Sequence, residues 1–143
     1  MDQIDTLSTP TVLLVESEDS LRRIMSVSIS ELRIRVLEAA DLESALDMLK
    51  TEHPEVLVIE YDFPFGENAK LINVFRQHKG KRQGYVVVTT ARRLDALWRR
   101  QCRPDATIYK PFDIRELCKT LKSLIEKLHP KHETSLTIDG SKV

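Results

Sequence analysis

Pro54-Glu55-Val56-Leu57-Val58-Ile59-Glu60 decides how this chain folds. Its middle is nearly all Val, Leu and Ile, the composition of a parallel strand whose two faces are both covered by helices, which places it near the centre of a sheet. To either side, short apolar runs alternate with longer segments of helical period, the pattern of an α/β domain with a parallel sheet. Strands are predicted at residues 11–16, 33–37, 55–60, 85–90 and 106–109. Between them apolar residues recur at helical spacing: Leu21, Ile24, Met25, Ile29 and Leu32 in the first helix, Leu42, Ala45, Leu46 and Leu49 in the second. The last helix carries the i, i+3, i+4, i+7 stripe Ile114, Leu117, Cys118, Leu121, Leu124, Ile125 and Leu128, and Asp113 and Glu116 have the Asp-x-x-Glu spacing of a helix start.

The chain has 143 residues, the size of one ordinary domain. The domain is expected at residues 11–129, and the polar, aperiodic ends, 1–10 and 130–143, are expected to be mobile tails. Lys plus Arg number 22 and Asp plus Glu 22, so the net charge is zero and bulk electrostatics favour neither nucleic acid nor membrane. The two cysteines, Cys102 and Cys118, lack CxxC spacing and fall on apolar helix faces, which reads as reduced core thiols. With no long apolar run and no basic-then-apolar leader at Met1, neither a transmembrane span nor a signal peptide is expected, and a cytoplasmic location is. The histidines form no motif of metal-ligand spacing, and there is no glycine-rich phosphate loop or nucleophile elbow to support an enzyme.

In open α/β sheets ligands bind beyond the carboxyl ends of the strands, where strand order reverses. Four segments end there: Val12-Leu13-Leu14-Val15-Glu16-Ser17, the strand ending in Glu60, Val86-Val87-Val88-Thr89-Thr90-Ala91, and Lys110-Pro111-Phe112. Pro64 lies four residues after Glu60. Together these segments resemble the receiver domain of bacterial response regulators, the CheY-like family, over residues 11–128. The resemblance implies a doubly wound (βα)5 flavodoxin-like fold, with a five-stranded parallel sheet of order 2-1-3-4-5 and helices on both faces. In that family the first strand ends in an acidic pair, the third in a phosphoacceptor Asp, the fourth in Thr or Ser and the fifth in Lys-Pro. Here the corresponding positions hold Glu16 and Ser17, Glu60, Thr90, and Lys110.

The resemblance therefore implies a degenerate pocket. Phosphoryl transfer needs an in-line nucleophile, a divalent cation and donors for the remaining oxygens. Glu60 is longer than Asp by one methylene, and a carboxylate misplaced by about 1 Å can cost about a hundredfold in rate. Glu60 is expected to imitate a phosphorylated aspartate rather than to become one. Ser17 replaces a metal-binding carboxylate, and Mg²⁺ demands near-octahedral geometry from few protein ligands. No cofactor is expected, with Mg²⁺ binding weak or absent and no dedicated metal site. Lys110 is then the counter-ion for Glu60 and Glu16. Asp62 is the competing phosphoacceptor, but the spacing to Pro64 favours Glu60 as the positional equivalent.

The family's switch couples the Thr or Ser to an aromatic on the fifth strand. That position is Thr107 here, and Tyr109, on the same face by strand alternation, is the substitute. The segment expected to form the fourth helix carries Arg92, Arg93, Arg99, Arg100 and Arg103 around a core-facing stripe of Leu94, Leu97 and Trp98, with Asp95 spaced to pair with Arg99. The resemblance makes this helix the partner face. It implies a stand-alone pseudo-receiver, not an enzyme, that binds another signalling protein, whether a histidine kinase, a regulator or an effector. A homodimer stays open, and neither nucleic acid nor membrane is the expected partner. The alternatives are a Mg²⁺-dependent phosphoacceptor receiver of a two-component system, accepting at Glu60 or Asp62, and an enzyme of another class on the same scaffold.

Overall fold

The computed structural model describes residues 9–62, 67–79 and 84–130. Apart from Thr9, Pro10 and Pro130, the expected tails lie outside the described residues, as does Pro64. Five strands alternate with five helices: β1 Thr11–Val15, α1 Asp19–Ser30, β2 Arg35–Ala39, α2 Leu42–Leu49, β3 Val56–Glu60, α3 Asn68–Lys79, β4 Tyr85–Thr90, α4 Ala96–Cys102, β5 Ala106–Tyr109 and α5 Ile114–Leu128. The sheet is parallel throughout, in the order β2-β1-β3-β4-β5.

Strand alternation divides the core into two layers. Leu13, Val15, Leu57, Ile59, Val86 and Val88 pack under α2, α3 and α4, against Ala45, Leu49, Leu71, Ile72 and Phe75. Val12, Leu14, Val56, Val58, Val87 and Ile108 pack on the other side against Met25 and Ile29 of α1 and Leu117, Leu121 and Ile125 of α5. Every residue from Val56 to Ile59 is fully buried, so β3 is the central strand that its composition predicts.

Three helices open on aspartate caps whose carboxylates satisfy backbone amides left free in the first turn. Asp41 accepts from Ser44 N at 2.7 Å, Asp95 from Trp98 N at 3.0 Å and Asp113 from Arg115 N at 2.9 Å. The Arg115 side chain, hydrogen-bonded to Asp113, holds the Asp113 carboxyl down to about 2, and the backbone amide adds to this.

The structure corrects the sequence expectation in β2, α1 and α4. Strand β2 begins at Arg35 and not at 33, because Arg33 takes a left-handed conformation (φ 66°) in the turn that ends α1. Ile24 is 54% exposed: the buried line of α1 is Met25 and Ile29 with Leu32 in the turn beyond, and Ile24 lies about 100° around the helix from Met25. The fourth helix is shorter than expected, leaving Arg92 and Arg93 in its lead-in and Arg103 as its left-handed C-cap (φ 45°). Within it Leu97 is 56% exposed, whereas Leu94 is buried and Trp98 packs against the core. Asp95 caps the helix. Both cysteines are free, Cys102 buried and Cys118 half-buried, with burial pushing both thiols up.

Candidate functional site

The sheet order brings the ends of β1, β3, β4 and β5 together along one edge. Glu16 follows β1 directly, its amide continuing the ladder to Ala39 O at 3.1 Å, and its side chain is 1% exposed. Glu60 closes β3, with a side chain 12% exposed. Lys110 follows β5, its amide bonded to Thr90 O at 2.7 Å.

Lys110 stands between the two carboxylates. Its Nζ donates to Glu16 Oε1 at 3.1 Å and to Glu60 Oε2 at 3.2 Å. The remaining oxygens are also engaged: Glu60 Oε1 accepts from Ser17 N at 3.1 Å and Ser17 Oγ at 2.9 Å, and Glu16 Oε2 accepts from Glu18 N at 3.0 Å. All four carboxylate oxygens therefore have protein donors. Arg22 braces the start of this loop, donating to Glu16 O at 2.8 Å.

Two carboxylates and one ammonium in a partly dry cleft leave a formal surplus of one negative charge. Burial pushes the Glu16 carboxyl above its ordinary value, and the Glu60 charge adds to this while the Glu18 amide and Lys110 oppose it. Burial works to lower Lys110, but the Glu16 and Glu60 carboxylates outweigh it and hold the ammonium above its ordinary value. Lys110 thus stays charged across the physiological range.

Thr90, fully buried, does not join this group. Its Oγ1 donates to Arg92 O at 2.7 Å and accepts from Arg92 N at 3.0 Å, which ties it into the turn after β4. Thr107 and Tyr109 sit opposite Val88 and Thr90 in the β4–β5 register, on either side of buried Ile108. Tyr109 is 51% exposed.

A second constellation joins the loop after β3 to the entry of α4. Asp62 Oδ2 accepts from Ala91 N at 3.1 Å and Oδ1 from Arg92 Nε at 2.7 Å. The Arg92 guanidinium lies over the Tyr61 ring, 5.5 Å from its centroid, and Tyr61 meets Trp98 edge to face at 4.8 Å. Asn68, 1% exposed, donates to Tyr61 O and accepts from Trp98 Nε1 at 3.1 Å. Tyr61 and Asn68 carry almost no sequence signal for this role, because Tyr61 meets Asp95 and Trp98, and Asn68 meets Trp98, thirty or more residues away in the chain. The only hint was local: an aromatic directly after Glu60. Of the arginines expected on one face, Arg92 belongs to this network, while Arg93, Arg99, Arg100 and Arg103 are exposed.

Among the described residues, no group of three or more His, Cys, Asp or Glu side chains converges as a metal site would require. Nor, among them, is any helix long and apolar enough to cross a membrane.

A five-stranded parallel sheet of order 2-1-3-4-5, with acidic, hydroxyl and lysine side chains gathered at its carboxyl edge, defines a receiver-type signalling domain. The model of the response regulator receiver domain matches residues 12–122, and the chain belongs to that family. Receivers are signalling modules of two-component systems that interact with kinases and effectors. The chain is 26% identical over 121 residues to the phosphate regulon transcriptional regulatory protein PhoB of Klebsiella pneumoniae, covering 83% of this chain and 53% of that protein. It is 28% identical over 118 residues to the KDP operon transcriptional regulatory protein KdpE of Escherichia coli, covering 81% and 51%. The chain thus spans about half the length of these curated relatives. Among solved structures, the CheY-like receiver domain protein of Methanospirillum hungatei superposes with a TM-score of 0.74 at 16% identity, covering 87% of this chain and 99% of that one. The receiver domain of the Francisella response regulator 1452 gives 0.69 at 21% identity, covering 83% and 98%.

Proposed function

We propose that this receiver is a phosphorylation-independent protein-interaction module, a pseudo-receiver whose conformation is set by Glu60 and Lys110. One observation carries the reading: the Glu60 carboxylate, at the family's phosphoacceptor position, is already held by Lys110 on one oxygen and by Ser17 on the other. An in-line attack would require that carboxylate to leave both partners. Mg²⁺ would have to displace the Lys110 ammonium, because Glu16 and Glu60 are the only carboxylates in this group and Lys110 lies between them. The residues present do not fit the ion, and the module works without it. Asp62 is no better placed as acceptor, since its carboxylate is engaged by Ala91 and Arg92.

The partner is another signalling protein, a kinase, regulator or effector, met through α4 and β5. Leu97 and Tyr109 supply exposed apolar area there, and Arg93, Arg100 and Arg103 a basic rim suited to an acidic partner surface. The test is an amide NMR titration with Mg²⁺ and then beryllofluoride, following Ser17, Glu60, Thr90 and Lys110. Unchanged spectra are expected. Large saturable shifts at those amides would overturn the reading in favour of a Mg²⁺-dependent phosphoacceptor.

A further inference from the structure

The helix that would present the partner face has only seven residues, Ala96–Cys102. A helix that short has little stability of its own, so its position is set by its tertiary contacts. Arg76 of α3 holds its last turn through Cys102 O and Arg103 O, and a second set of contacts holds its first turn. Those contacts come largely from two residues directly after β3. Tyr61 Oη accepts from the backbone N of Asp95, the α4 cap, at 3.1 Å, and the Tyr61 ring supports Trp98. Asp62 takes the segment between β4 and α4 from the other side, with one carboxylate oxygen on Ala91 N and the other on Arg92 Nε. Arg92 in turn lies across Tyr61, so the two grips share a residue.

We propose that the Asp62 carboxylate is an internal anion that latches the β4–α4 segment onto the end of β3, and that losing it releases Arg92 and lets the first turn of α4 move. Arg92 is 70% exposed and Asp62 24%, so the pair's Coulomb attraction is screened by solvent. The latch acts instead through geometry, because one planar carboxylate orients both a backbone amide and a guanidinium. Without that anion, Ala91 N loses its acceptor, Arg92 loses the partner that holds it over Tyr61, and the Tyr61 ring that meets Trp98 loses its guanidinium cover. The latch does not rest on the pocket being closed to phosphate, since Glu60 and Lys110 take no part in it.

Trp98 is the only tryptophan in the chain, so its fluorescence reports on this junction alone. The experiment compares the wild-type chain with Asp62→Ala, Arg92→Gln and the double variant by Trp98 emission and by amide NMR. Each single variant is expected to move Trp98 emission to longer wavelength and to shift the amides of residues 91–102, leaving Ser17 and Lys110 in place. The double variant should go no further than the singles. Sodium acetate, compared with sodium chloride at equal ionic strength, should partly restore the Asp62→Ala spectrum by supplying a carboxylate. Unmoved emission and α4 amides in both single variants, or additive shifts in the double variant, would overturn the latch. Should Asp62→Ala fail to fold, Arg92→Gln decides alone: shifts confined to residues 91–102 support the latch and their absence refutes it.

Discussion

Lys110 Nζ lies 3.2 Å from Glu60 Oε2, joining the ends of β3 and β5, two strands that are not neighbours in the sheet. The contact spans fifty residues of chain and passes across the end of β4. Among the described residues, Lys110 is the one cation that bridges these two enclosed carboxylates.

Replacing Lys110 with Met should therefore cost about 3–5 kcal/mol, the usual consequence of leaving a buried charge without its partner. Urea unfolding at pH 7 measures it. Adding Glu16→Gln to that variant should recover part of the loss, because the deepest uncompensated charge is then gone.

The titration of Glu16 supplies a pH prediction. Its folded pKa stands above the ordinary 4.5, so between that value and the folded one the native state binds more protons than the unfolded chain. The stability contributed by this group accordingly falls as pH rises through that window. Lys110 is also raised above its ordinary 10.5: its contribution is fully present below 10.5 and is lost as pH rises through the folded value. Urea midpoints measured from pH 4 to 7 should show a shallower gain toward acid in Glu16→Gln than in the wild type. Equal slopes would remove Glu16 as the cause.

Shortening the pocket should reopen it. The combined variant Glu16→Asp, Ser17→Asp and Glu60→Asp withdraws both carboxylates from Lys110 and adds a third, giving Mg²⁺ carboxylate oxygens at a distance it tolerates. Saturable Mg²⁺-dependent amide shifts are expected in this variant and not in the wild type. If the variant stays silent, the longer side chains are not what excludes the metal.

The partner face can be altered without disturbing the core. Leu97→Ala, at an exposed position, should change stability by no more than about 0.5 kcal/mol. Arg103→Gly should be neutral or stabilising by up to about 1 kcal/mol, since the helix ends there in the left-handed region that glycine prefers. By contrast Leu57→Ala, fully buried in the central strand, should cost about 2–5 kcal/mol. Thermal or urea unfolding of the three separates face from core. Loss of partner binding in the first two would then be a surface effect.

Much of this architecture is legible along the chain. Val56 to Ile59 announce a strand buried on both faces, and alternation within β1 and β4 sorts their residues between two layers. The strand-end positions of Glu16, Glu60, Thr90 and Lys110 follow from the same local periods, and the structure brings Glu16, Glu60 and Lys110, with Ser17, into hydrogen-bonding contact. Periodicity has this reach because it reports which face of a strand or helix turns inward, a property of residues a few positions apart. It does not report which loop folds over which. Asp62 gripping Ala91, and Tyr61 bearing on Asp95 and Trp98, depend on β3 and β4 lying side by side. Those contacts join residues about thirty positions apart, and no local pattern of hydrophobicity or charge encodes them. Packing the strands into one sheet is what brings them within hydrogen-bond distance.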